Sequence, residues 1–133
     1  MTRWELTLEV PLARPLPAGT NLREHPMARH ARVKKLRELT ALHLRTRGAA
    51  FLREWRVMAS NEALRLDVAF TRISPRELDD DNNVSAFKAV RDQVAAEVGI
   101  NDRSKRFDWH YLQAKGEPAI RLRLEVLTTE VQR

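Results

Sequence analysis

Apolar and polar residues alternate along this chain with two different periods. From Trp4 to Val10, Trp4, Leu6, Leu8 and Val10 exchange with Glu5, Thr7 and Glu9, the two-residue period of a strand with one buried face. Pro11, Pro15, Pro17 and Gly19 then predict an irregular connection over residues 11 to 28, long enough to suggest a functional role. The period turns helical from about Arg29 to Thr46. At roughly 100° per residue, Val33, Leu36, Leu39, Thr40, His43 and Leu44 share one face, and Lys34, Arg37, Glu38 and Arg45 lie across from it. His43 on that face reads as a core histidine rather than a ligand. His25 and His30, with Pro26 between them, have poor metal spacing. Residues 48 to 62 carry the weakest pattern; Phe51, Leu52, Trp55 and Val57 fit a helix after Gly48 better than a short strand. Leu64, Leu66, Val68 and Phe70 alternate with Arg65, Asp67, Ala69 and Thr71, a strand that runs through Ile73 to Ser74-Pro75.

The next helix is expected unbroken from Asn83 to Val98, with Val84, Phe87, Val90, Val94 and Val98 as its core stripe and Gly99 as its stop. Phe107, Trp109 and Tyr111, and then Ile120, Leu122, Leu124 and Val126, make two more strands. The turn Lys115-Gly116-Glu117-Pro118 is expected to join them as an antiparallel hairpin. The order β-α-(α)-β-α-β-β predicts one α+β domain over residues 1–133, a mixed four-stranded sheet with two main helices. Residues 128 to 133 read as a frayed tail.

Composition narrows the classes. A chain of 133 residues, 43% hydrophobic and 32% charged, suits a globular domain with its own core. With no cysteine, disulfides, zinc–thiolate sites and thiol catalysis are excluded. No apolar signal core or membrane-length run is present, so a cytoplasmic protein without a membrane partner is expected. The net charge of +6 is concentrated. Between Arg29 and Arg47, the cations Arg29, Arg32, Lys34, Lys35, Arg37, Arg45 and Arg47 face one acid, Glu38, so this segment carries the whole formal excess. Such a field favours a polyanion such as nucleic acid; a solvated basic face is the alternative.

Against that background stand three consecutive acids, Asp79, Asp80 and Asp81, between a strand and a helix. Adjacent like charges repel, and a divalent cation relieves the repulsion. Hard cations such as Mg²⁺ take one or two carboxylates and keep several waters. In an extended segment Asp79 and Asp81 point to one side and Asp80 to the other, which makes Asp79 and Asp81 the candidate ligand pair. The alternative is a solvated acidic turn that caps the next helix. An EF-hand loop from Asp79 needs Gly at its sixth and Glu at its twelfth position, where Val84 and Val90 stand. No P-loop is present. Ser85, Lys88 and Asp92 lie off the apolar stripe of the following helix, so Lys88 is available to a site beside it.

Asp79-Asp80-Asp81-Asn82, a helix with Lys88 and Asp92 four apart, Gly99 and Asn101-Asp102 resemble the motif of the RusA-like Holliday junction resolvases, small endonucleases of phages and prophages. The Pro-rich loop feeding Asn21-Leu22-Arg23-Glu24-His25, the basic helix with Arg32-Val33-Lys34-Lys35 and the final two strands are similar as well. Only Gly48 to Glu62 falls outside the likeness. The resemblance implies a Mg²⁺-dependent endonuclease that resolves four-way DNA junctions by paired nicks in recombination and repair; whether Mn²⁺ substitutes is left open by the sequence. It implies no small-molecule cofactor. By position, it makes Asp79, Asp81 and Asp102 catalytic and metal-binding, requires Lys88 for cleavage, and gives Asn82 a site-shaping or capping role. DNA contacts are expected from Arg29, Arg32, Lys34, Lys35, Arg37 and Arg45.

The chain departs from that pattern in three places. Asn83 stands where an apolar residue is usual, Asn101 replaces a frequent Asp, and Lys88 follows Asn82 by nearly one helical turn more than in the founding member. A nucleic-acid-binding protein with a degraded centre is therefore the second reading. A phosphatase with an Asp-x-Asp nucleophile ranks third, since it needs a larger parallel sheet. One geometric expectation follows from the unbroken helix. Sixteen residues from Asn83 to Val98 extend about 24 Å, and Gly99 to Asp102 span at most about 14 Å. An Asp102 that joins Asp79 and Asp81 is then expected from the second subunit of a homodimer with composite sites.

Overall fold

Residue alternation in the strands sends Leu8, Leu66, Val68, Phe70, Leu122 and Leu124 to one face of a sheet, where all are buried. The computed structural model describes residues 4–18 and 23–128. It contains β1 (Trp4–Pro11), α1 (Pro26–Arg47), α2 (Ala49–Met58), β2 (Leu64–Ile73), α3 (Asp80–Ala86), α4 (Lys88–Val98), β3 (Phe107–Ala114) and β4 (Ala119–Thr128). This is a single-domain α+β fold with a mixed four-stranded sheet, as the patterning predicts. The helices cover the apolar face. The opposite face is charged and internally paired, with Arg123 on Glu5 at 2.8 Å, Arg65 on Asp108 at 2.8 Å and His110 on Asp67 at 2.6 Å. Among the described residues no helix is long and apolar enough to cross a membrane. Of the expected tail only Thr128 is described, as the end of β4; residues 129–133, like Asn21 and Leu22, lie outside the described residues.

The strand order is β1-β4-β2-β3, which corrects the expected final hairpin. β3 pairs with β2 in parallel, and β4 lies antiparallel between β1 and β2. The chain leaves β2 through α3 and α4 and returns beside it, the helical crossover that parallel pairing requires. The turn after β3 then passes over the end of β2, with Ser74 N donating to Ala114 O at 3.1 Å and Gly116 N to Ser74 O at 3.4 Å. Four turn residues suffice to step across one intervening strand. Local alternation cannot distinguish this step from a hairpin.

α1 begins at Pro26, earlier than its apolar period suggests. Proline suits the first helical turn, and His25 Nδ1 accepts from Met27 N at 3.1 Å. The irregular connection is shorter than expected for the same reason. His43 is not a core histidine; it is half-buried, with Nδ1 3.4 Å from an Arg47 nitrogen. α2 forms where the weak pattern placed it, held by the fully buried Trp55, whose Nε1 donates to Val98 O at 2.9 Å.

The expected continuous helix from Asn83 to Val98 is in fact two. Phe87 leaves the helical region at φ −92°, ψ 4° and stacks on Phe70 with ring centroids 5.1 Å apart. Before the break the inward positions are Asn83 and Ala86, and Val84 is 43% exposed; after it Val90, Val94 and Val98 are buried as expected. Asn83 turns inward because its Nδ2 donates to Leu112 O at 3.2 Å, a bond to the sheet that a valine could not make.

Candidate active site

β2 ends at Ile73, and Ser74 to Leu78 carry the chain to the acids. Leu78 is fastened by a reciprocal pair: its N donates to Gln113 Oε1 and its O accepts from Gln113 Nε2, both at 2.8 Å. Asp79 is extended at φ −61°, ψ 153°, and makes no capping bond; Asp80 and Asp81 are already in the first turn of α3. All three are exposed, and none of their carboxylates has a partner among the described residues. The extended-segment pairing of Asp79 with Asp81 thereby loses its premise, because only Asp79 is extended while Asp80 and Asp81 lie in the first turn of α3. Asp81 precedes Val84 and Ser85 by three and four residues in α3, which puts it on their face of the helix.

That face opens on a cleft of about 230 Å³ that includes Ser85, Lys88, Asp92, Asp102 and Tyr111. Ser85 Oγ donates to Ala18 O at 2.7 Å, which seats the Pro-rich loop against α3, and lies 3.2 Å from the main-chain O of Asn82, a residue that does not itself line the cleft. Lys88 is exposed, with Nζ 3.9 Å from Asp92 Oδ2. Arg91 binds the far wall: Nη1 donates to Tyr111 Oη at 2.9 Å, Nη2 to Asp102 O at 3.2 Å, and its plane lies over Trp109 at 4.6 Å. Trp109 Nε1 also donates to Asp102 O, at 3.1 Å. The segment after Gly99 is thus folded back onto the middle of α4, and Asp102 lines the cleft beside Lys88 of its own chain. The break at Phe87 and this return change the path that the distance argument for a second subunit assumed, but do not by themselves bring Asp102 to Asp79 and Asp81.

The structure brings Lys88, Asp92 and Asp102 into one cleft, with Asp81 on the helix face that leads to it. It does not gather Asp79, Asp81 and Asp102: among the described residues no three carboxylate or imidazole groups are placed to hold one metal ion. The unpartnered acids fit a hard cation held by one or two carboxylates and water, and do not fit a three-aspartate cage within one chain. Arg91 and Tyr111 escaped the sequence reading. The spacing of Arg91 three residues after Lys88 was a usable signal, whereas the place of Tyr111 depends on which strand β3 joins.

The basic helix divides into engaged and free cations. Arg32 binds Glu24 at 2.6 Å, with Arg29 3.6 Å from the same carboxylate. Arg45 binds the buried Glu97 at 2.7 Å, and Arg37 donates to Gln93 Oε1 at 3.0 Å. Lys34 and Lys35 are exposed and without a partner among the described residues. Hydrogen bonds from Arg32 hold the Glu24 carboxyl below the usual carboxylate range, and the bond to Glu97 raises the pKa of Arg45. No protein-family model and no curated protein matches this chain.

Proposed function

We propose that this chain is a Mg²⁺-dependent phosphodiester hydrolase that nicks branched DNA, with four-way junctions as substrate, in cytoplasmic recombination and repair. The observation that carries the reading is the exposed, unpartnered run Asp79–Asp81 at the end of a central strand, beside a cleft holding Lys88 and Asp102, in a chain of net charge +6. Asp81, with Asp79 or Asp80, would hold the ion. Bound there, Mg²⁺ would supply charge neutralisation at the attacked phosphate. The Lys88 ammonium, loosely tethered by Asp92, is free to stabilise charge that develops on the phosphate oxygens. Asp102 is held by Arg91 and Trp109 through its main-chain carbonyl, and its Oδ2 lies 3.7 Å from Arg91 Nε; its carboxylate, at the cleft, would accept a hydrogen bond from the attacking water. Lys34 and Lys35 supply phosphate contacts away from the cut. A junction offers two symmetry-related strands, so the reading includes a homodimer with one centre per subunit.

The lack of a three-carboxylate group in the described chain favours one competitor, a junction-binding protein that does not cut. Incubation with a synthetic four-way junction, with and without Mg²⁺, separates the two. Paired nicks that need Mg²⁺ and vanish in Asp81→Asn, with binding retained, support the nuclease. Binding without cuts at any Mg²⁺ or Mn²⁺ concentration supports the competitor.

A further inference from the structure

We propose that Arg72, near the end of β2, forms the floor of a phosphate subsite next to the acidic run, which receives a backbone phosphate of the bound nucleic acid. The nature of that ligand rests on the reading above; the anion site itself rests on Arg72. This side chain is 5% exposed and has no carboxylate partner among the described residues. Its Nε donates to Leu16 O at 2.7 Å and its Nη1 to Arg76 O at 2.8 Å. A guanidinium carries five N–H donors, so donor capacity remains. Nη2 has no partner among the described residues, yet it is not sealed from solvent, unlike Arg65 Nε and Arg91 Nε. It therefore reaches an open surface.

That surface is a pocket of about 470 Å³ walled by Pro15, Ser74, Arg76, Glu77 and Leu78 around Arg72. A buried cation held only by carbonyls is costly unless an anion completes its shell, and burial pushes the Arg72 pKa down accordingly. The planar fork of a guanidinium matches two phosphate oxygens. Arg76 is exposed at the wall as a second cation, and Glu77 is the lining's single carboxylate. The wall continues directly into Asp79, so a phosphate on Arg72 lies along the strand from one at the acids. Arg72 also ties the Pro-rich loop to the β2–α3 turn, so occupancy of the pocket and seating of the loop share one side chain.

The test is an NMR titration of the isotope-labelled intact protein with inorganic phosphate, without Mg²⁺, following the Arg72 Nε–H and the amides of Ser74, Arg76, Glu77 and Leu78. Saturable shifts centred there are expected, weakened about tenfold or more in Arg72→Met. Glu77→Gln keeps Arg72 and its bonds, so it reports even if Arg72→Met fails to fold; it should tighten phosphate by about two- to fivefold. Shifts confined to Lys34 and Lys35, shifts that never saturate, or an unchanged affinity in Glu77→Gln would leave Arg72 a brace only and overturn the subsite. Junction cleavage measured in parallel keeps the two readings apart. A cutting protein with a silent Arg72 sinks the subsite alone, and a saturable Arg72 in a protein that cuts no DNA sinks the nuclease alone.

Discussion

Glu24 and Glu97 are acids with cationic partners, Asp79 to Asp81 are acids without any among the described residues, and neutralising the two kinds has opposite consequences. Glu24 joins the end of the irregular connection to α1 through Arg32, and its folded pKa lies below the unfolded value. Its contribution is therefore present above the ordinary glutamate pKa of the unfolded chain and is lost as pH falls through the folded pKa. Thermal melts of wild type and Glu24→Gln should differ near neutral pH and converge in acid. A gap that widens as pH falls would contradict the pairing. Asp81→Asn instead relieves repulsion between exposed neighbours. Its melting temperature should equal or exceed the wild-type value while cleavage disappears, whereas a large loss of stability would assign Asp81 to the fold.

At the scale of elements, the break at Phe87 separates two helix faces with different tasks: α3 presents Asp81 and Ser85, and α4 presents Lys88 and Asp92. Phe87 is fully buried and stacked on Phe70, so Phe87→Ala should cost about 3–5 kcal/mol by denaturant unfolding; a cost below about 1 kcal/mol would show that the junction packs loosely. In α1 the free and engaged cations should behave differently. Lys34→Ala with Lys35→Ala should lower the salt slope of DNA binding by up to about two units without loss of stability. Arg45→Ala leaves the buried Glu97 with Gln93 Nε2 as its remaining side-chain donor and should lower stability more than it lowers the slope. Equal slopes for both variants would place the DNA surface elsewhere. The helical period identified this element as basic, but not that Glu24 and Glu97, both outside the segment, engage three of its arginines.

For the whole molecule, the order of the strands decides where the cleft lies. Because β3 lies beside β2, Tyr111 and Trp109 come under α4, and the loop after Gly99 is pinned there by Arg91. Asp102 then shares a cleft with Lys88 in one chain. Mixed Asp81→Asn and Asp102→Asn proteins, allowed to exchange subunits, should accordingly stay inactive, since each chain carries one defect in its own centre. Recovery of nicking on the labelled junction would show instead that Asp102 serves the partner's acids.

The alternation of apolar residues determined the strands, and the 3.6-residue period determined α1 and the buried stripe of α4, because a side chain's face depends only on backbone repeat. The acidic run and Lys88 were legible for a related reason: unpaired like charges and an off-stripe lysine are local features. Tertiary structure alone decided the rest. The parallel placement of β3, the inward turn of Asn83, the helix break at Phe87 against Phe70, the return of Asp102 to Lys88 and the burial of Arg72 each depend on a partner distant in sequence. Periodicity sets which way a residue faces; only packing sets what it meets there.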